Sequence, residues 1–457
     1  MLNYTAPRLA EEFRKIFIVK YERDCKVWMT WKTDRVTGKA SWVIDQSGDI
    51  VMRECRKFLS NITWQIRQDD TLTRKEQAKV AERVNTTHFL GSVIKELSLL
   101  KNVSTSFKDW DSNDLEVGTP AGIIDLRTGL LRDYSENDLI SRRTRATPLH
   151  REPTVFLDVL RCGFKGDEEK VKYFQRICGM ILAGHTDRGF FILYGEGKNG
   201  KSKIINAIAH AIGDYSKAGK ESLFIKSRAL DNDYYMYEYR EVRLVTMCEL
   251  NVSARWDTAK IKQMTGGDFI TARTLRGSPV NFKIKAKVLL GTNSKPEFDA
   301  VDDGVRDRVH LIEFTGKPKV IDRHLPEKLE REAPEILAWM VEGYLDFCQQ
   351  GFNQPACVLE DTEKYLEEEN PVTEFKNEFM SKYDGMQSFR DVWFAWCMHC
   401  KESNQYAGSM KMFSKMLKAD GVKSIRHADG VYLTNYKLTD RAELMSHDWS
   451  DVLHRRM

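Results

Sequence analysis

The chain has 457 residues, 42% of them hydrophobic and 30% charged, with a formal net charge of +4. That length exceeds what one hydrophobic core serves and predicts two to four domains, while the composition is that of a soluble globular protein. Nine scattered cysteines, an odd number, argue against a secreted disulfide framework. The lack of an apolar N-terminal signal or a membrane-length apolar run predicts an intracellular, cytoplasmic protein with no membrane partner.

In chain order, Lys26 to Ile44 alternates like a hairpin turned at Thr37-Gly38. From Asp49 to Leu100 the apolar spacing is helical, broken near Thr71 to Thr73 and near Asn85 to Thr87. Pro120-Ala121-Gly122-Ile123-Ile124-Asp125-Leu126 then reads as a strand, with a turn at Thr128-Gly129. Residues 1–150 thus form an α+β N-terminal domain in which no catalytic chemistry is legible. Glu168 to Leu182 is helical, and Phe190-Phe191-Ile192-Leu193-Tyr194 is an apolar run that reads as a buried strand.

Directly after that strand stands Gly195-Glu196-Gly197-Lys198-Asn199-Gly200-Lys201-Ser202, followed by helical spacing from Ile204 to Ile212. Strand, G-x-x-x-x-G-K-[ST] and helix is the order a phosphate-binding loop requires. Glycines let the backbone curl its N–H groups around a phosphate chain, and the helix N-terminus adds partial positive charge. Lys201 is placed to reach the β/γ-phosphates and Ser202 to hold Mg²⁺, so ATP and Mg²⁺ are the expected cofactors. The alternation of helix and strand to about residue 316, closed by helix over 326–350, predicts an α/β nucleotide-binding domain over 151–350.

Hydrolysis also needs an acid that orients water, usually at the end of a neighbouring buried strand. Val242 to Glu249 has that shape, with Glu249 as the acid and Cys248 where many such sites carry a first carboxylate. A third strand, Val288 to Thr292, ends in Asn293, whose amide suits either the γ-phosphate or an ordinary turn. Arg306 and Arg308 follow, suited to act in trans on a neighbour's nucleotide or to sit in surface ion pairs.

Between Asp268 and Glu297 there is no acid but six basic residues, among them Arg273, Arg276, Lys283 and Lys285. The pattern is strand, turn, strand, with arginine near the tip and lysines expected to alternate outward. A nucleic-acid backbone is the partner this charge favours, against the plainer use of lysine to guard a hairpin edge. The acidic run Glu360 to Glu369 reads as a solvated helix ending at a boundary near Asn370-Pro371. Over 371–457, helices near 375–379, 389–400 and 410–418 precede two short strands, predicting a winged-helix-like tail. Cys397 and Cys400 are read as core cysteines of that tail rather than half of a zinc site.

The ordered set Gly195–Ser202, Glu249, Thr265-Gly266-Gly267-Asp268 with Thr271-Ala272-Arg273, Gly291-Thr292-Asn293, then Asp303-Gly304 and Arg308 resembles the superfamily-three helicases. The branch it is most similar to is the phage, plasmid and poxvirus primase-helicases. Gly122 to Leu126 with Thr128-Gly129 resembles that branch's pre-motor domain, and Phe413, Leu417 and Gly421 resemble its C-terminal region. The resemblance implies an AAA+ ATPase core and a homo-oligomeric, hexameric ring with ATP between subunits. Single-stranded or forked DNA would pass through the pore.

By the same resemblance Lys201 and Ser202 bind phosphate and Mg²⁺, Glu249 serves the attacking water, Asn293 is the sensor and Arg308 the arginine finger. Arg276 and its neighbours grip DNA. No primase domain with paired carboxylates is legible, so priming is expected from a separate primase or polymerase, or the chain is a fragment of a larger primase-helicase. The alternatives are a nucleotide-gated origin-binding protein with little unwinding, or another P-loop nucleic-acid motor.

Overall fold

In a computed structural model the described residues are 4–184, 188–225, 236–248, 255–272, 279–298, 301–368, 371–403 and 407–454. The first module pairs strands Val19–Glu22, Val27–Thr33 and Ala40–Asp45 antiparallel, with Ser104–Thr105 added in parallel to the first. Helices Ala6–Ile16, Asp49–Ile66, Arg74–Val84 and Thr87–Leu99 bury one apolar stripe each, centred on Phe13, Leu59, Val84 and Val93. The expected break at Thr71–Thr73 is a start signal: Thr73 accepts from the Glu76 N–H while the Glu76 carboxylate accepts from the Thr73 N–H.

A small antiparallel sheet of Glu116–Thr119, Gly122–Asp125 and Leu130–Arg132 follows. Its inner residues Val117, Ile124 and Leu126 share the core of the nucleotide-binding domain rather than that of the first module. Arg243 reinforces this join, donating to the carbonyl of Glu116 at 2.9 Å with its guanidinium 4.5 Å above the Tyr215 ring. The N-terminal region is therefore split, with residues 116–132 fastened to the five-stranded parallel sheet described next.

That sheet has five strands, all parallel, in spatial order Val309–Glu313, Phe190–Tyr194, Lys287–Thr292, Leu244–Cys248, Ser216–Ala218. Phe190 to Leu193 are fully buried, as strands covered on both faces must be. Helices Glu168–Leu182, Lys201–Ile212 and Ala333–Gln350 supply the covering core on one side. The register aligns the carboxyl ends: Tyr194 lies opposite Thr292 and Glu313, and Cys248 opposite Gly291. The residues just beyond these ends must therefore meet, and in parallel α/β sheets that crevice is where ligands bind.

The helix over the acidic run, Ala356–Glu368, is not wholly solvated. Val358, Thr362, Tyr365 and Leu366 are buried, and Thr362 Oγ1 accepts from the N–H of Leu311 at 2.9 Å, fixing the helix to the edge strand of the parallel sheet. The tail runs helix Pro371–Phe379, strand Met380–Ser388, helices Phe389–Glu402 and Met410–Ala419, strands Ser424–His427 and Gly430–Leu438, helix Asp440–His454. Its three strands form an antiparallel sheet with Gly430–Leu438 central. Trp396, Cys400 and Phe413 lie in its core, and burial pushes the Cys397 thiol up to about 11.

Candidate functional site

The loop Gly195–Gly200 joins strand Phe190–Tyr194 to helix Lys201–Ile212 at the carboxyl edge of the sheet. Two backbone constraints shape it. Gly200 has φ +93°, which a side chain rarely adopts, and a Cβ at Gly195 would lie 2.2 Å from the carbonyl oxygen of Phe314. Asn199 is buried; its amide donates to that same carbonyl and its Oδ1 lies 3.0 Å from Lys201 Nζ. Asn199 thereby fastens the loop to the neighbouring strand's exit and orients the lysine.

Lys201 is only 4% exposed, and burial lowers the pKa of its ammonium. Nζ donates to the carbonyls of Gly195 (2.6 Å) and Glu196 (2.9 Å) and to Asn293 Oδ1 (3.1 Å). Lys201 and Asn293, distant in sequence, are thus brought together as expected. A Cβ at Gly197 would meet nothing nearer than Asn293 Nδ2 at 3.9 Å, so the inner side of the loop has room beside the ammonium. Ser202 stands half-buried at the second residue of the helix, and Glu196 projects outward to pair with Lys317.

These residues fit a nucleotide's phosphates: curled backbone, a buried ammonium, an open inner face and a helix N-terminus. Ser202 could hold Mg²⁺ through its hydroxyl. Cys248, whose strand ends beside Gly291, offers a sulfur that a hard cation does not favour. Glu249 lies outside the described residues.

Arg308 sits at the other end of the sheet. It immediately precedes strand Val309–Glu313, and its carbonyl accepts from the N–H of Phe190, the first residue of the loop strand. The five-residue strand separates it by roughly 15 Å from its own phosphate loop. Its side chain is 5% exposed and its guanidinium donates to the carbonyl of Gly304, while Nε is buried with no acceptor among the described residues. Burial, then Arg188, lowers its pKa.

The basic hairpin pairs Phe269–Ala272 with Val280–Lys283 antiparallel, Phe269 opposite Lys283. Ile270, Ala272, Val280 and Phe282 face the core, so Phe269, Thr271, Asn281 and Lys283 face out. Arg273 and Arg276 fall outside the described residues. Lys283 is exposed, its Nζ 5.1 Å above the ring of Phe269, which is itself 71% exposed. Sequence reasoning missed Phe269 as an outward aromatic, although the alternation of the strand carries that signal.

Lys285 departs from the expected outward alternation. Its Nζ lies 2.7 Å from Asp114 and 2.6 Å from Glu241, and its stem is largely buried. Burial opposes its charge, but Glu241 and Asp114 outweigh that and raise its pKa. The paired strand ends at Lys283, so the chain beyond turns inward. Lys287 is likewise buried, its Nζ donating to the carbonyl of Ala183.

A family model described as D5 N terminal like matches residues 6–182, and a family of unknown function, DUF5906, matches residues 193–308. Among curated proteins the chain is 25% identical over 334 residues to "Putative helicase L207/L206" of Acanthamoeba polyphaga mimivirus, covering 67% of this chain and 35% of that protein. It is 26% identical over 166 residues to "Primase D5" of Fowlpox virus (strain NVSL), covering 35% of this chain and 20% of that protein. The chain thus spans about a third and a fifth of the lengths of these relatives. Among solved structures, the apo structure of the NrS-1 C terminal region aligns at 11% identity with a TM-score of 0.49, over 94% of this chain and 99% of that one.

The fold is α/β around a five-stranded parallel sheet, preceded by a region that matches the D5 N terminal like family. Over these spans the chain is similar to viral proteins named as a putative helicase and a primase.

Proposed function

We propose that this chain is the ATP-dependent motor of a replicative DNA helicase from a phage, virus or other mobile element. It would work as a hexameric ring of AAA+ domains that hydrolyses ATP between subunits, translocates on single-stranded DNA and unwinds duplex. The observation that carries this is the Lys201 ammonium, held jointly by loop carbonyls and by Asn293 at adjacent strand ends.

ATP bound with Mg²⁺ supplies a γ-phosphoryl group for transfer to water. The chain's residues divide the remaining work. Loop N–H groups and Lys201 hold the phosphates, Ser202 offers a hydroxyl to Mg²⁺, and Asn293 orients the attacking water. Glu249 is assigned as the base from its sequence position. Arg308, too far from its own loop, is assigned by its sequence position to a phosphate on an adjoining subunit, which its guanidinium would reach by leaving the Gly304 carbonyl. Phe269 and Lys283, with Arg273 and Arg276 of the intervening sequence, are assigned to gripping DNA by stacking and charge. The helix–strand–helix–helix–strand–strand order of the tail supports a winged-helix domain. Forked DNA is the substrate, with priming from a separate primase or polymerase or from another part of a longer chain.

Cys248 favours one second reading, a nucleotide-gated origin-binding protein with little turnover, since thiol replaces carboxylate at the strand end. Phosphate release with and without single-stranded DNA separates the two. Stimulated, multiple-turnover hydrolysis supports the motor; nucleotide-dependent DNA binding without turnover supports the initiator.

A further inference from the structure

The helix Asp49–Ile66 of the first module buries Val51, Cys55, Leu59, Ile62, Thr63 and Ile66, which leaves its opposite face to solvent. At 100° per residue that outer face carries Arg53, Arg56, Lys57, Ser60 and Trp64, and the chain continues to Arg67. The stripe runs about 21 Å from Arg53 to Arg67. Trp64 is 63% exposed, although burying an indole is strongly favourable. Of the acids beside it, Asp49 stands one turn before Arg53 at the helix start, and Glu54 makes surface pairs with Lys57 and Arg53 that exchange readily for a stronger anion.

Beside the stripe lies a groove of about 560 Å³, where Arg67 on one wall faces Arg74 and Gln77 on the next helix, with Glu82 also on its wall. Neither Arg67 nor Arg74 has an ion-pair partner among the described residues. Five cations along one exposed indole lack the contiguous apolar centre that a protein interface needs. They match a chain of phosphates with one base laid on the ring. A duplex offers no free base face, so the matching form is a single strand.

We infer that this stripe and groove of the D5-like module bind single-stranded DNA, with Trp64 stacking a base and Arg67 and Arg74 contacting phosphates. The site is separate from the hairpin and needs no nucleotide, so it stands independently of the motor proposal.

The test uses the full chain without nucleotide, a dye-labelled oligothymidylate and fluorescence anisotropy over a salt series. Trp64→Ala should weaken binding about tenfold, while Trp64→Phe keeps most of the affinity. Arg67→Ala with Arg74→Ala should lower the salt slope by about 1.4, roughly 0.7 per lost phosphate contact. Should Trp64→Ala misfold, seen as a lowered melting temperature, Trp64→Phe and the arginine pair still decide. Wild-type affinity and slope in all folded variants overturn the inference, including where the patch proves to dock a protein. Failure of unwinding with intact Trp64-dependent binding would count against the motor alone.

Discussion

Lys201 Nζ lies 3.1 Å from Asn293 Oδ1, although 92 residues separate them. Parallel register and the curl of the loop bring this about: Tyr194 opposes Thr292, which sets Gly195 near Asn293, and the loop returns Lys201 to the Gly195 carbonyl. The contact links the group expected to bind phosphate with the group expected to read its hydrolysis. The two should therefore fail differently when removed.

Lys201→Ala should reduce DNA-stimulated ATP hydrolysis by at least about a hundredfold and weaken nucleotide binding as well. Asn293→Ala should lower kcat roughly ten- to a hundredfold with KM for ATP changed little, because it serves the reaction more than the ground state. Steady-state kinetics on both variants check this. Equal losses in KM and kcat for Asn293→Ala would remove it from the hydrolytic step.

Arg308 lies at the strand end away from its own loop, so under the proposed ring any effect it has on hydrolysis is expected at a neighbouring subunit's nucleotide. Arg308→Ala subunits titrated into wild type should depress ATPase more steeply than their mole fraction. A linear decline in mixed assemblies would instead confine Arg308 to its own fold, where its guanidinium holds the Gly304 carbonyl.

Phe269 is 71% exposed with Lys283 over its ring, an arrangement without benefit to the core. Phe269→Ala should weaken single-strand affinity about fivefold or more and slow translocation, leaving DNA-free ATPase nearly unchanged. Arg276→Ala should behave alike. Unaltered DNA binding in both would strip the hairpin of its proposed role.

His310 packs against Phe191 in the strand beside the loop strand, with Nδ1 2.9 Å from the Tyr173 hydroxyl. Burial pushes its pKa from 6.5 down to about 4. A depressed pKa means the unfolded chain takes the proton first, so this stability is present above pH 6.5 and lost as pH falls through about 4. The loss is on the order of 3 kcal/mol. His310→Gln should flatten the pH dependence of unfolding across that window relative to wild type. Parallel curves for the two proteins would place the acid sensitivity elsewhere.

Local pattern made the phosphate loop, its flanking strand and helix, and the three helices after Asp49 legible, because each is specified by residues close in sequence. Strand Met380–Ser388 escaped notice since Ser381, Lys382, Asp384 and Gly385 break any alternation and its partner is Gly430–Leu438. Lys285 was misplaced for a related reason. Its partners Asp114 and Glu241 come from other parts of the chain, and no local period announces an inward turn. The helix Ala356–Glu368 did carry its signal, with Val358, Thr362, Tyr365 and Leu366 on one face, beneath a run of conspicuous acids. The phosphate loop was legible as a site, whereas its tie to Phe314 through Asn199 depends on a fifth strand far downstream.

The central claim is that the loop's nucleotide drives strand separation. Strand displacement on a forked duplex, run with ATP beside a non-hydrolysable analogue and with Lys201→Ala as control, tests it most directly. Displacement with ATP alone, lost in Lys201→Ala, is the predicted result. Equal displacement with the analogue, or none with ATP despite measurable hydrolysis, would contradict it.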